Sequence, residues 1–252
     1  IKDAAGNIIR NFSSKADGEA KGVGRRSPRE PKLSTKKGLN RFVWDMRYPS
    51  IPSIPGVYIE SSFRGHKAIP GSYTITVKAG AQTSSTTASI LANPLYQVGV
   101  NDYKEFDDLM KKMEGEVITM HTMILNLYES KNQLEAVLKN LPSEDKYNGV
   151  KAKGEEVVKL LKAWDEDMIQ RKSTAYDDVE NFPNKFTANY MFMVNQNESE
   201  IPRVNQPVLD LLKEYTPVWE ALKARGLDLK NNALPALNKQ LWEAGVGAVL
   251  IK

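Results

Sequence analysis

The sequence predicts an α+β protein in two domains, an antiparallel β-sandwich over residues 1–94 followed by an antiparallel α-helical bundle over residues 95–252. Two periodicities predict this, together with one boundary. Apolar residues alternate with a period of two before residue 94, they recur at three and four after Asn101, and Asn93-Pro94 separates the two regimes as a hinge.

In the first half, "NIIRNFS" follows the turn-prone "DAAGN", and the pair reads as a hairpin with Ile1-Lys2. In "NRFVWDMRY" the residues Phe42, Trp44, Met46 and Tyr48 share one face, and Arg41, Val43, Asp45 and Arg47 the other, as in a half-buried strand. "SYTITVKAGAQTSSTTASIL" repeats the pattern, with Tyr73, Ile75 and Val77 inward, a turn at Ala79-Gly80 and a Thr-rich returning strand. Short antiparallel strands of this kind suggest a sandwich. Prolines at 49, 52, 55 and 70 assign the intervening segment to loop, because a central strand tolerates none.

From Asn101 the apolar positions are Phe106, Met110, Met113, Val117, Met120, Ile124, Leu127, Leu134, Leu138 and Leu141, with Lys131 alone out of pattern. This seam of about 40 residues starts at a capping "ND" and stops at Pro142. A second helix is expected over 149–172 on Val150, Val157, Leu161, Trp164 and Met168. A short one fits 186–194, and two more fit 207–225 and 229–245, with Pro207 in a first turn and Gly226 as a stop. Short connections between such helices imply antiparallel neighbours.

The composition, 41% hydrophobic and 26% charged, is that of a globular chain. The formal charge of +4 is uneven. Residues 15–37 hold eight Lys/Arg against three acids, so the rest of the chain sums to −1. That basic segment has no interleaved aromatic and no helical period, and reads as a solvated loop that does not bind nucleic acid. No cysteine is present, which excludes disulfides and thiolate sites. The longest apolar run, "VGAVLI", is too short for a membrane span.

No catalytic motif emerges. His66 and His121 are the only histidines. His121 lies one position beyond the seam residue Met120 and reads as structural, solvent-facing or partly buried. His66 lies in the loop "FRGHKAIPG", where binding and simple loop polarity account for it equally. Without cysteine, two lone histidines argue against zinc. The acids Glu155-Glu156, Asp165-Glu166-Asp167 and Asp177-Asp178 have lysine neighbours and read as charged helix faces rather than a hydrolytic pair. "GVG" at 22–24 lacks the strand, third glycine and helix of a phosphate loop. "NYMFMVNQ" at 189–196 reads as helical core. Catalytic, cofactor-binding and metal-binding residues are therefore expected to be none.

The pattern "IKDAAGNIIRNF", "KGLNRFVWDMRYPSIP" and "IPGSYTITVKAGAQTSSTTASIL" resembles the immunoglobulin-like sandwich of FlgD-type domains. More closely, the whole chain resembles the C-terminal region of large secreted bacterial β-propeller proteins of the BNR-repeat, sortilin-like group, often labelled glycosyl hydrolase-like. "GLNRFVWDMRY" is the most specific element, joined by "FPNKF" at 182–186 and "LPALNKQLWEAGV" from Leu234. The family's "D-P-R" is replaced by "NPL" at 93–95. The resemblance implies a secreted or cell-envelope location and a non-catalytic accessory or interaction module, any catalytic centre lying in a propeller that this chain lacks. The implied partner is that propeller part of the same protein or an envelope complex. The rival expectation is a share in the substrate cleft of a glycoside- or peptide-hydrolysing enzyme. The opening "IKDAAGN" reads as the tail of a strand and its turn, so a fragment with a lost upstream targeting signal is expected.

Overall fold

A computed structural model describes residues 1–15, 31–199 and 201–252. Most of the reading of the basic segment 15–37, and all of that of "GVG", lies outside the described residues. The elements in order are β1 (Gly71–Ala79), β2 (Gln82–Ile90), α1 (Val100–Lys139), α2 (Asn148–Met168), α3 (Asp178–Asn181), α4 (Phe186–Ser199), α5 (Gln206–Asp228) and α6 (Leu234–Glu243). A 3-10 turn, Asp145–Tyr147, precedes α2, and a π-helical segment, Leu229–Ala233, joins α5 to α6. The chain forms two compact units. The first holds Ile1–Pro55, Ser61–Glu116 and Met193–Val208, and the second Gly56–Glu60, Val117–Phe192 and Leu209–Lys252.

The expected β-sandwich, immunoglobulin-like or otherwise, is absent among the described residues. The protein is mostly helical (51%), and the one sheet among the described residues is the antiparallel pair β1–β2. The reason lies in "NRFVWDMRY". Its alternation is real as far as Trp44, but Met46 takes a positive φ of 57° and turns the chain, leaving its own side chain 48% exposed. Beyond that turn the chain makes one isolated bridge, Arg47 to Lys67, instead of a ladder. The proline-punctuated segment that follows is loop, as its prolines predict, and it buries Ile51, Ile54 and Phe63. The first hairpin is similarly reduced to a bridge between Lys2 and Ile8, with Lys2 also pairing Thr74 on β1.

Around that bridge the first unit has a small core of Ile9, Ala68 and Tyr73, against which Ile1, Trp44, Tyr48 and Ile90 pack. Trp44 meets Tyr73 edge-on at 5.7 Å, and its indole N–H donates to the Arg47 carbonyl at 3.1 Å. Phe42 packs on Phe12 with ring centroids 4.5 Å apart. The hairpin itself runs in register from Gly71–Ile90 to Ala79–Gln82, turning through Gly80 at φ 60°. Tyr73 is buried, but Val77, expected inward, is 58% exposed, and β2 is exposed from Gln82 to Ser89.

The helical half follows its periodicity closely. All the seam residues of α1 from Phe106 to Leu138 are buried, and Leu141, beyond the helix end, is half-buried. Asp102 in the first turn reaches back to accept the Gly99 N–H at 2.9 Å, one arm of a capping box. In the second unit, α2 buries Val157, Leu161, Trp164 and Met168. It ends at Met168 rather than 172, because Ile169 is extended and its N–H closes on Asp165. Gly226 does not stop α5. A Cβ there would lie 3.0 Å from the Trp164 ring and 2.5 Å from Met123 Cε, so the glycine makes room for the indole, whose N–H donates to the Leu222 carbonyl at 2.7 Å.

Candidate functional site

A compact cluster of ionisable groups lies in the first unit, where the "GHKA" loop meets the early turns of α1. Heptad spacing places Asp107 and Glu114 on the same side of the helix, seven residues apart, with Lys111 between them. Each acid flanks a buried seam position, Phe106 or Met113, so its carboxylate stands at the rim of the core. Between them sits His66, whose exposure is 0%.

Every polar atom of the His66 ring is engaged. Nδ1 lies 2.9 Å from Glu114 Oε2 and Nε2 lies 3.0 Å from Asp107 Oδ1, while the backbone N–H of His66 donates to Glu114 Oε1 at 2.8 Å. Tyr48 stacks on the imidazole with centroids 4.2 Å apart, and Phe106 meets it edge-on at 6.2 Å. Lys111 Nζ donates to Asp107 Oδ2 at 2.5 Å and stands 5.0 Å from the Tyr48 ring centre.

Burial disfavours the His66 cation, but the hydrogen bonds and charges of Asp107 and Glu114 outweigh it and hold the imidazole above its ordinary value. Burial likewise opposes ionisation of Asp107, and His66 and Lys111 reverse this and keep it below the usual carboxylate range. Burial pushes the Tyr48 phenol up to about 12, against the nearby Lys111. The cluster thus sets an imidazole, favoured in its charged form, and an ammonium against the carboxyl groups of Asp107 and Glu114. An imidazole with acceptors on both nitrogens has no lone pair to offer a substrate, and one with no exposed surface has no substrate to meet. His66 is a structural clamp.

The clamp is set by backbone as well. The Tyr48 N–H donates to the His66 carbonyl at 2.9 Å and the Ala68 N–H to the Met46 carbonyl at 2.7 Å. Gly65 is required there, since a Cβ would come within 2.6 Å of the Tyr48 carbonyl oxygen. Arg47 donates through Nη1 both to the Gly65 carbonyl at 2.8 Å and to Glu198 at 2.9 Å.

Several of the other residues singled out by sequence are buried or hold charged or backbone partners. His121 is 1% exposed within α1, more deeply buried than expected. Asp165 is paired with Arg171, Asp167 with Arg225 at 2.8 Å, and Glu156 with Lys153 at 2.8 Å. Asp178 accepts the backbone N–H groups of Thr174 and Ala175 at 2.7 and 2.9 Å, which holds its carboxyl below the usual range. Tyr190, Met191, Met193 and Val194 of "NYMFMVNQ" are buried in α4. No group of three or more His, Asp or Glu among the described residues is disposed to hold a metal ion. Sequence reasoning does not single out Asp107, Lys111 and Glu114. Their i, i+4, i+7 spacing beside buried seam positions is the available signal.

One concavity in the first unit has a different character. Met46, Ile90, Leu91, Tyr96 and Phe106 line a cavity of about 380 Å³ where the hairpin strands begin and end. Leu91 is 83% exposed and Leu95 beside it 85%. Among the described residues no strand pairs with the outer edge of β2, and no helix is long and apolar enough to cross a membrane. No family model, no curated protein and no solved structure matches the chain.

Proposed function

We propose that the chain is a non-catalytic interaction module of a larger secreted or cell-envelope protein, of the kind implied by the resemblance of "GLNRFVWDMRY" to the C-terminal region of bacterial β-propeller proteins. The observation that supports the reading is the apolar surface left open in the first unit. Leu39, Val43, Met46, Val77, Leu91 and Leu95 are all exposed, and Met46 and Leu91 share the cavity at the hairpin base. Large apolar side chains around a concavity favour a polypeptide partner.

The hairpin adds a second element to the same surface. Two strands alone are marginally stable in water, yet nine residue pairs extend with β2 open to solvent on both faces. An added strand from the partner would satisfy the β2 edge while an apolar side chain entered the cavity beside Leu91. Of the carboxylates weighed for hydrolysis, Asp165, Asp167, Glu156 and Asp178 are tied to Arg171, Arg225, Lys153 and backbone amides respectively.

The test combines an apolar fluorescent dye with a hydrolysis panel. The folded chain should bind the dye saturably at neutral pH, and Leu91→Asp with Tyr96→Asp should abolish the signal without changing the melting temperature. No glycoside or peptide substrate should turn over. A folded chain that ignores the dye, or turnover lost on changing one carboxylate, would overturn the reading.

A further inference from the structure

The second unit carries a cavity of about 450 Å³ whose lining is rich in charged side chains, within the range of small-ligand sites. Its charged lining consists of Lys131 from α1, Lys162, Asp165 and Glu166 from α2, Arg171 and Lys172 from the segment after α2, and Lys185 ahead of α4. Five cations therefore face two carboxylates. We infer that this cavity binds a small anion carrying more than one phosphoryl charge.

Arg171 is the centre of the site. Its Nε and Nη2 donate to Asp165 Oδ2 and Oδ1 at 2.5 and 2.6 Å, and its guanidinium lies 3.5 Å from the centre of the Tyr128 ring. Fixing the planar group on one edge and one face removes most of the ordering cost of binding. That pairing uses two of the five N–H donors of a guanidinium, and the rest suit phosphoryl oxygens. Asp165 is thus a positioning residue for Arg171.

The lysines divide into two sets. Lys131 and Lys162 both bind Glu135, at 3.2 and 2.7 Å, and Lys131 also lies 4.5 Å from the Tyr128 ring centre. Lys172 and Lys185 have no carboxylate partner among the described residues. With the lining acids and Glu135 all counted, two positive charges remain unmatched. A single monoanion would leave one of them uncompensated, whereas a diphosphate supplies at least two negative charges and, unlike sulfate, two phosphoryl groups for cations contributed by separate segments of the lining.

Inorganic pyrophosphate is the probe, titrated calorimetrically into the whole chain at fixed ionic strength, with inorganic phosphate and sulfate as comparisons. Pyrophosphate should bind one per chain, at least tenfold more tightly than sulfate. Lys172→Glu with Lys185→Glu should weaken it at least tenfold, and Arg171→Lys should weaken it too, with the melting temperature of the double variant staying within a few degrees of the parent's. Lys151→Glu with Lys159→Glu, on exposed positions of α2 outside the cavity, should leave it unchanged. Vesicles bearing phosphatidic acid distinguish a lipid headgroup from a free anion, since binding to vesicles with the same variant dependence would assign the site to lipid. Equal affinity for pyrophosphate and sulfate, or equal weakening by the control pair, would overturn the inference.

Discussion

His66 meets Glu114 twice, its backbone N–H donating to Oε1 at 2.8 Å and its ring Nδ1 lying 2.9 Å from Oε2. One carboxylate therefore fixes both the position of the loop and the orientation of its imidazole, and Asp107 closes the other side of the ring at 3.0 Å. Removing the ring leaves two carboxylates at the core rim without their shared partner. His66→Ala should destabilise the chain by about 3–5 kcal/mol, the cost of breaking a buried ion pair from one side. Denaturant unfolding measures it, and a loss below about 1 kcal/mol would show that the cluster is idle.

The same cluster predicts a pH dependence. The folded value of His66 is raised above 6.5, so its contribution is complete below 6.5 and is lost as pH rises through the folded value. The folded value of Asp107 is lowered below 3.8, so its contribution is complete above 3.8 and is lost as pH falls through that lowered value. Stability should therefore plateau between the two reference values and decline on the alkaline side. His66→Gln should flatten the alkaline decline in a series of unfolding midpoints. A wild-type profile that rises from pH 6 to 9 would contradict the charged-imidazole assignment.

Gly65 tests the backbone side of the clamp. An added Cβ would meet the carbonyl oxygen of Tyr48 at 2.6 Å, and neither backbone can yield without moving His66 off its carboxylates. Gly65→Ala should cost about 3 kcal/mol, at the upper end of ordinary single substitutions. A thermal melt indistinguishable from wild type would show that the loop is not seated as described.

Trp44 is a half-buried member of a small core rather than the centre of a sandwich. Its edge-on contact with Tyr73 and its N–H bond to Arg47 remain to be lost. Trp44→Ala should cost about 2–3 kcal/mol, less than the about 3–5 kcal/mol of a fully buried aromatic. A cost above that range would restore Trp44 to a deep core position.

The helices are legible in the sequence because one physical constraint, a buried seam, dictates positions three and four apart, and α1 satisfies it from Phe106 to Leu138. The sandwich is not, because period two marks any extended chain lying on a core, whether or not it has a partner strand. Phe42 and Trp44 obey the period, and the positive φ at Met46 that ends it has no signature in that residue type. Gly226 misleads for a related reason, since a glycine that stops a helix and one that admits Trp164 look alike in sequence. His66 cannot be assigned from sequence because its partners lie 41 and 48 residues away.

The central claim, a partner-binding surface at the hairpin base, is tested most directly by site-specific photo-crosslinking in the native source. A photoreactive side chain at Leu91 should give one discrete adduct, identified by mass spectrometry as a polypeptide joined through an extended segment. The same group at Lys151, an exposed position of the second unit, should give none. Absence of any adduct at Leu91, or equal labelling from both positions, would contradict the account.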